Sequence, residues 1–162
     1  MIAPVSLEKF REYELAAFVR VTQRKLTYGY GAKDKFCGQG LPIRYGKIDC
    51  SGFNRTLMQY AVGVPFKDYP DGSWNQCRWL AENGYQSISY NEVPTRYGVH
   101  IAFHHTNGRG ADPVGHVWAV VSWPDSCHTV ESYGNNGPGS RDWNAPKLLH
   151  IVDECFFIGA LV

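Results

Sequence analysis

The sequence predicts an α+β domain in which amino-terminal helices pack on an antiparallel β-sheet. Three observations carry this. Helix-period apolar spacing fills the first half of the chain, and short runs rich in β-branched and aromatic residues fill the second. Helices followed by strands, rather than alternating with them, is the order of an α+β layer architecture. At 162 residues, the chain has the length of one domain, residues 1–162, around one core.

Taken in order, Ser6 is placed to cap a first helix with Glu8 in its first turn. The apolar set Phe10, Leu15, Phe18, Val19 and Val21 continues that helix over residues 7–26. Residues 27–48 carry five glycines and one proline with neither period, so they read as a long loop of the kind that tends to be functional. Phe53, Leu57, Tyr60 and Ala61 mark a second helix that stops at Gly63. Ser73 is placed as the N-cap of a short third helix, with Gly84 just past its end. Strand patterns then cover residues 86–90, 98–104, 116–123, 129–133 and 148–161, bounded by Gly, Pro, Asn and Asp.

Composition excludes several classes. Apolar residues make up 44% of the chain, which argues against disorder. Lys and Arg number 16 against 15 Asp and Glu, leaving a formal charge of +1, too little for a nucleic-acid binder that relies on a basic surface. No apolar run approaches the ~20 residues of a membrane span. The first ten residues, MIAPVSLEKF, turn charged at once and show no cleavable export signal. The expectation is synthesis in the cytoplasm. Five cysteines, an odd number, cannot all pair internally, and no CxxC spacing suggests a zinc site.

Of these thiols, Cys50 stands out. The string Ile48-Asp49-Cys50-Ser51-Gly52-Phe53 lies where the long loop becomes the second helix. A thiol at a helix amino terminus faces the positive end of the dipole and unsatisfied backbone N–H groups, which favour thiolate. The same N–H groups stabilise an oxyanion formed when sulfur attacks a carbonyl. A thiolate needs a base, and His116 opens the apolar strand His116-Val117-Trp118-Ala119-Val120-Val121. A third group must hold the imidazole in its working tautomer. A turn centred between Pro124 and Asp125 sets Trp118 opposite Glu131, which puts Glu131 on the sheet face of His116; a one-residue slip would turn it away. Asn135 is the competing orienter.

Asp-Cys-Ser-Gly-Phe opening a helix, Gly-His-Val opening a strand and a polar residue on the next strand resemble the NlpC-type cysteine peptidases of the papain-like superfamily. Tyr28-Gly29-Tyr30-Gly31 is similar to that family's Tyr-x-x-Gly element. The resemblance spans residues 28–133. It implies a papain-like fold and hydrolysis of amide bonds in bacterial cell-wall stem peptides, often between D-glutamate and a diamino acid, without a cofactor. Cys50 would be the nucleophile, His116 the base and Glu131 the orienting residue, in a position where the family commonly has His, Asn or Gln. Tyr28 and Asp49, with Ser51, would support the site and substrate. Gly139-Ser140-Arg141-Asp142-Trp143 resembles variants from phage and from secreted bacterial effectors. That implies release or injection towards a cell wall, peptidoglycan as partner, an immunity protein in the effector case, and a monomer without membrane insertion.

Trp74 and Trp143 are candidates to line a cleft, and Arg141 to grip a substrate carboxylate through its bidentate fork. His100, His104 and His105 cluster on one strand and with Cys50 or Asp112 would make a metal site, but no zinc-type ligand spacing accompanies them. Cys37, Cys77, Cys127 and Cys155, like Lys33 and Lys35, lie in no motif. Two other functions fit the same residues: acyl transfer or hydrolysis on a lipid or protein amide, and a catalytically inactive wall-binding or assembly module.

Overall fold

The computed structural model describes residues 4–22, 26–29, 31–32, 46–105, 115–134, 137–149 and 151–162. Helix α1, Leu7–Thr22, starts where Ser6 predicts: the Lys9 N–H donates to Ser6 Oγ at 3.3 Å. Phe10 and Tyr13 are fully buried on its inner face, whereas Leu15 points to solvent and does not join the apolar stripe. Leu26 opens a strand, so the helix does not run to residue 26. Strand β1, Leu26–Tyr28, pairs in parallel with β2, Gly46–Ile48, and sets Tyr28 opposite Ile48. Thus both ends of the expected loop are paired backbone. The amino-terminal segment is tied to the far end of the chain, with the Val5 N–H bonded to the Ala160 carbonyl at 2.9 Å.

Helix α2, Cys50–Leu57, widens into a π-helical turn over Met58–Val62 and ends at Gly63, whose φ of 83° is the left-handed stop expected of glycine. Helix α3, Ser73–Glu82, is capped by Gly72, so Ser73 is its first helical residue and not its N-cap.

A six-stranded antiparallel sheet follows, built from β3 Gln86–Ser87, β4 Gly98–His104, β5 His116–Ser122, β6 Cys127–Tyr133, β7 Gly137–Gly139 and β8 Glu154–Gly159 in the order β3-β8-β4-β5-β6-β7. Two expected strands are shorter than their patterns. Residues 86–90 give way at Tyr90 to a 3-10 helix, Tyr90–Thr95, because Glu92 Oε2 caps the Ser89 N–H at 3.1 Å and Pro94 cannot extend a ladder. The run 148–161 begins in a short helix, α4 Ala145–Leu149, and becomes strand only at Glu154. The glycine-rich β7 carries no strand signature and was not anticipated.

Period-2 alternation divides the core between the two sheet faces. Val99, Ile101, Phe103, Val117, Ala119 and Val121 pack under α1, α2 and α3 against Phe10, Phe53, Leu57 and Leu80. Ala102, Trp118, Val120 and Cys155 face the other way and are covered by Tyr90 and Val93 of the 3-10 helix. The helices therefore contact one face of the sheet, as expected, with the 3-10 helix closing part of the second. Among the described residues no helix is long and apolar enough to cross a membrane.

Candidate active site

The site is assembled where α2 begins. Asp49 is in extended conformation (φ −88°, ψ 179°), and its Oδ1 accepts from the Gly52 N–H at 2.7 Å while its carbonyl receives the Phe53 N–H. This N-cap fixes the first turn and makes Cys50 the first helical residue, with only 8% of its surface exposed. Ser51 Oγ donates to Asp49 Oδ1 at 3.3 Å and lies 3.5 Å from Asp71 Oδ1. Buttressing comes from α3: Gln76 Nε2 donates to the Ser51 carbonyl at 2.8 Å, and its Oε1 accepts from Asn54 at 3.0 Å.

Across from the helix, β5 and β6 form the predicted hairpin. Ala119 pairs with Val130, Val120 with Thr129 and Ser122 with Cys127, the register of a turn centred on Pro124-Asp125. Continued along the ladder, it places Trp118 opposite Glu131 and both on the face of His116. His116 Nε2 and Glu131 Oε2 are 2.8 Å apart. The Cys50 thiol is the other group that acts on this imidazole and favours its charged form. The ring also stacks on Trp118, with centroids 5.4 Å apart and planes 20° from parallel, and Trp118 Nε1 is anchored to the Tyr90 hydroxyl at 3.0 Å.

Glu131 has no exposed side-chain surface, and all four of its carboxylate lone-pair directions are used. Oε1 accepts from Thr129 Oγ1 at 2.7 Å and Arg141 Nε at 2.9 Å; Oε2 accepts from Arg141 Nη2 at 2.9 Å as well as facing His116. Burial alone would push this carboxyl up, but the hydrogen bonds from His116, Arg141 and Thr129 outweigh it and hold its pKa below the ordinary value. For His116 the balance also favours charge. Burial opposes the imidazolium, yet the bonds to Cys50 and Glu131 raise its pKa from 6.5 to about 9.

Compared with family models and with curated proteins, the chain matches neither. The geometry therefore carries the functional argument.

Other predicted residues fall into place differently. Tyr28 sits on the strand beside Ile48, two residues before the thiol. Trp74, in the first turn of α3, is 38% exposed and meets His105 edge-on at 4.9 Å. Arg141 does not present an open fork: both arms are spent on Glu131, and its guanidinium lies 4.1 Å over the Tyr133 ring. Trp143 is half-buried, and its carbonyl accepts from Tyr90. The three strand histidines separate, since His100 is buried while His104 pairs with Asp153. Among the described residues no three His, Cys, Asp or Glu side chains are grouped to hold a metal. Burial pushes the Cys77 and Cys155 thiols up to about 12, which leaves them protonated. Cys37, Lys33, Lys35, Asp112 and Asn135 lie outside the described residues.

Sequence reasoning missed Thr129, Ser132, Gln76 and Asn54. Thr129 was detectable, being two residues before Glu131 on the same strand face. Gln76 and Asn54 sit on helix faces whose pairing no local pattern announces.

Proposed function

We propose that this chain is a cysteine amidase or endopeptidase that cleaves stem peptides of the bacterial cell wall. The observation that carries the reaction class is the His116–Glu131 pair, 2.8 Å apart with the carboxylate buried, together with Cys50 at a helix amino terminus, whose thiol acts on the same imidazole. The wall substrate, and a papain-like NlpC-type identity for the fold, rest on the resemblance of the Asp-Cys-Ser-Gly-Phe and Gly-His-Val strings.

In this mechanism the Cys50 sulfur attacks the carbonyl carbon of the scissile amide, and the oxyanion is met by the Cys50 N–H at the start of α2. As the C–N bond breaks, the imidazolium of His116 gives its proton to the departing amine, leaving a thioester. His116, now neutral, takes a proton from water; the hydroxyl oxygen attacks the thioester, and the acid leaves as the thiol is restored. Glu131 holds the ring in one orientation through both halves. In this reading Tyr28, Asp49 and Ser51 would support the substrate beside the sulfur, and Trp74 would line the cleft. Access to the wall would follow release or injection, the latter requiring an immunity protein in the producing cell.

The test is hydrolysis of purified sacculi, followed by turbidity and by mass spectrometry of released muropeptides. Cys50→Ala is expected to abolish release, and unchanged release by that variant would overturn the proposal. Product analysis from a mixture of muropeptides, lipid esters and protein amides identifies the acyl group attacked.

A further inference from the structure

We propose that Arg141 is a positioning residue that acts through Glu131: its fork neutralises the buried carboxylate, so that His116 meets an acceptor fixed in place but carrying little net charge. The inference rests on the reading of Cys50, His116 and Glu131 as the reacting set and adds to it the control of how tightly His116 keeps its proton.

Four observations converge on it. Both arms of the guanidinium reach the carboxylate at 2.9 Å, one on each oxygen, in the bidentate geometry that Arg alone provides. Oε2 is shared, accepting from Arg141 while lying 2.8 Å from His116, so the permanent cation and the titrating one face the same atom. The backbone of Arg141 is pinned to the strand that carries Glu131: its N–H donates to Thr129 Oγ1 at 2.9 Å and its carbonyl accepts the Thr129 N–H at 2.8 Å. Tyr133, two residues beyond Glu131, lies under the guanidinium plane and holds its orientation. A surface arginine needs none of this.

The electrostatic consequence follows from the dielectric. A fully buried glutamate with an imidazolium as its sole counterion would hold that proton hard, because the pair attraction is little screened. A ring that never gives up its proton serves neither amine departure nor activation of water. Arg141 supplies the second positive charge, and the proton on His116 becomes releasable. Among the described residues, the neighbouring elements also bring Cys50 and the capping Asp49 at the start of α2, His104 directly opposite on β4 with its partner Asp153, and Tyr133 on β6. Tyr90 reaches it through Trp118. Beside these, Glu131 and Arg141 are joined in a bidentate ion bridge.

The experiment is a charge cycle read by NMR titration of the His116 imidazole and by the pH profile of kcat, in wild type, Arg141→Met, Glu131→Gln and the double variant. Removing the guanidinium alone should raise the His116 midpoint by about 1 pH unit or more, and removing the carboxylate alone should lower it by a similar amount. The double variant, which leaves a neutral acceptor and no buried ion, should return to within about half a pH unit of wild type. At pH 7, Arg141→Met should lose about 10- to 100-fold in kcat with a smaller change in KM, the range found when outer partners of a metal-binding histidine are removed. If the single variant does not fold because its carboxylate is left unpaired, Arg141→Lys and the double variant carry the test. Lysine keeps the charge without the fork, so its midpoint should stay near wild type while kcat falls. A midpoint that stays or drops in Arg141→Met, or a double variant shifted further than either single, overturns the inference. Cys50-dependent amidase activity together with an unshifted midpoint in Arg141→Met rejects the role of Arg141 alone. Shifted midpoints in a protein without amidase activity reject the proposed function alone.

Discussion

Ser132 Oγ donates to the Ile48 carbonyl at 2.9 Å, and both residues are fully buried. The bond joins the strand that carries Glu131 to the backbone two residues before Cys50, across 84 positions of sequence. It is thus a direct tie between the two halves of the candidate site. Ser132→Ala would remove it, at a cost of about 1 kcal/mol. Urea denaturation should show that loss, and kcat on sacculi should fall more than KM rises. A variant with unchanged stability would show that water or a neighbour replaces the bond.

The cap on α2 makes a second prediction. Asp49 Oδ1 bonds the Gly52 N–H at 2.7 Å in the turn that begins with Cys50. Asp49→Ala should cost about 1 kcal/mol, and Asn, which still offers an oxygen, should recover most of it. Alkylation of Cys50 by iodoacetamide reports the site itself. It should slow in the Ala variant, because the first turn is no longer held under the sulfur, and equal rates in all three proteins would remove Asp49 from the site's architecture.

The charged state of His116 sets a pH window. Its folded pKa of about 9 lies above its ordinary 6.5. The protonated ring therefore stabilises the folded chain fully below pH 6.5, and that contribution disappears as pH rises through about 9. Glu131 has the opposite sign: its folded value is depressed below 4.5, so its contribution is present above that pH and is lost as pH falls through the folded value. The stability difference between wild type and His116→Gln, measured in urea, should shrink steadily from pH 6.5 to pH 9.5. The alkaline limb of kcat should fall near pH 9. A difference that does not vary over that window would contradict the pairing.

His100 gives a separate acid-side prediction. The residue is fully buried on β4 with its ring 5.3 Å from Phe157, and the Val120 backbone is its nearest polar neighbour, which neither ring nitrogen meets in good hydrogen-bond geometry. Burial, opposed by the Val120 backbone and helped by a smaller push from Arg96, lowers its pKa from 6.5 to about 4. The unfolded chain then binds a proton that the folded chain refuses, so stability declines as pH falls from 6.5 towards 4. His100→Leu removes two unpaired polar atoms at similar volume. It should gain about 1 kcal/mol at pH 7 and flatten the acid decline. Denaturation at pH 7 and pH 4.5 checks both parts, and an equal acid decline in the variant would move the cause elsewhere.

How much of this was legible beforehand depended on the range of the interaction. The hairpin register followed from one turn, because Pro124-Asp125 fixes the centre and strand alternation does the rest; that put Glu131 on the face of His116. Cys50 was legible for the same reason, since a place at a helix start is local, whereas the capping role of Asp49 comes from the structure. The chemistry of Arg141 was not. Its fork was expected to meet substrate, and only the folding of the segment after β7 back along β6 turns it onto Glu131. Strand ends were misjudged where capping chemistry overrode composition, as at Ser89 and Glu92, where an apolar and aromatic run becomes a 3-10 turn. The parallel pairing of β1 with β2 was hidden because each strand is three residues long and has no period to read.

Gly115 carries the last prediction. A Cβ at this position would lie 2.1 Å from the His104 carbonyl oxygen and 3.2 Å from Ser73 Oγ. The first contact is with backbone, on the strand residue that pairs directly with His116, so no rotamer change can relieve it. Either β4 or the start of β5 must shift. Overpacking of this kind costs about 1–3 kcal/mol, which leaves a typical domain folded. Activity should suffer more than stability. The shift falls next to His116, and a displacement of about 1 Å at a reacting group costs on the order of 100-fold in rate. Gly115→Ala should therefore retain a cooperative thermal transition while losing most of its kcat on sacculi. Its His116 resonance should titrate away from about 9, as the ring moves off Glu131. Wild-type kcat in this variant would mean that the strand entry tolerates the methyl group, and that the close approach of Gly115 to His104 does not position the imidazole.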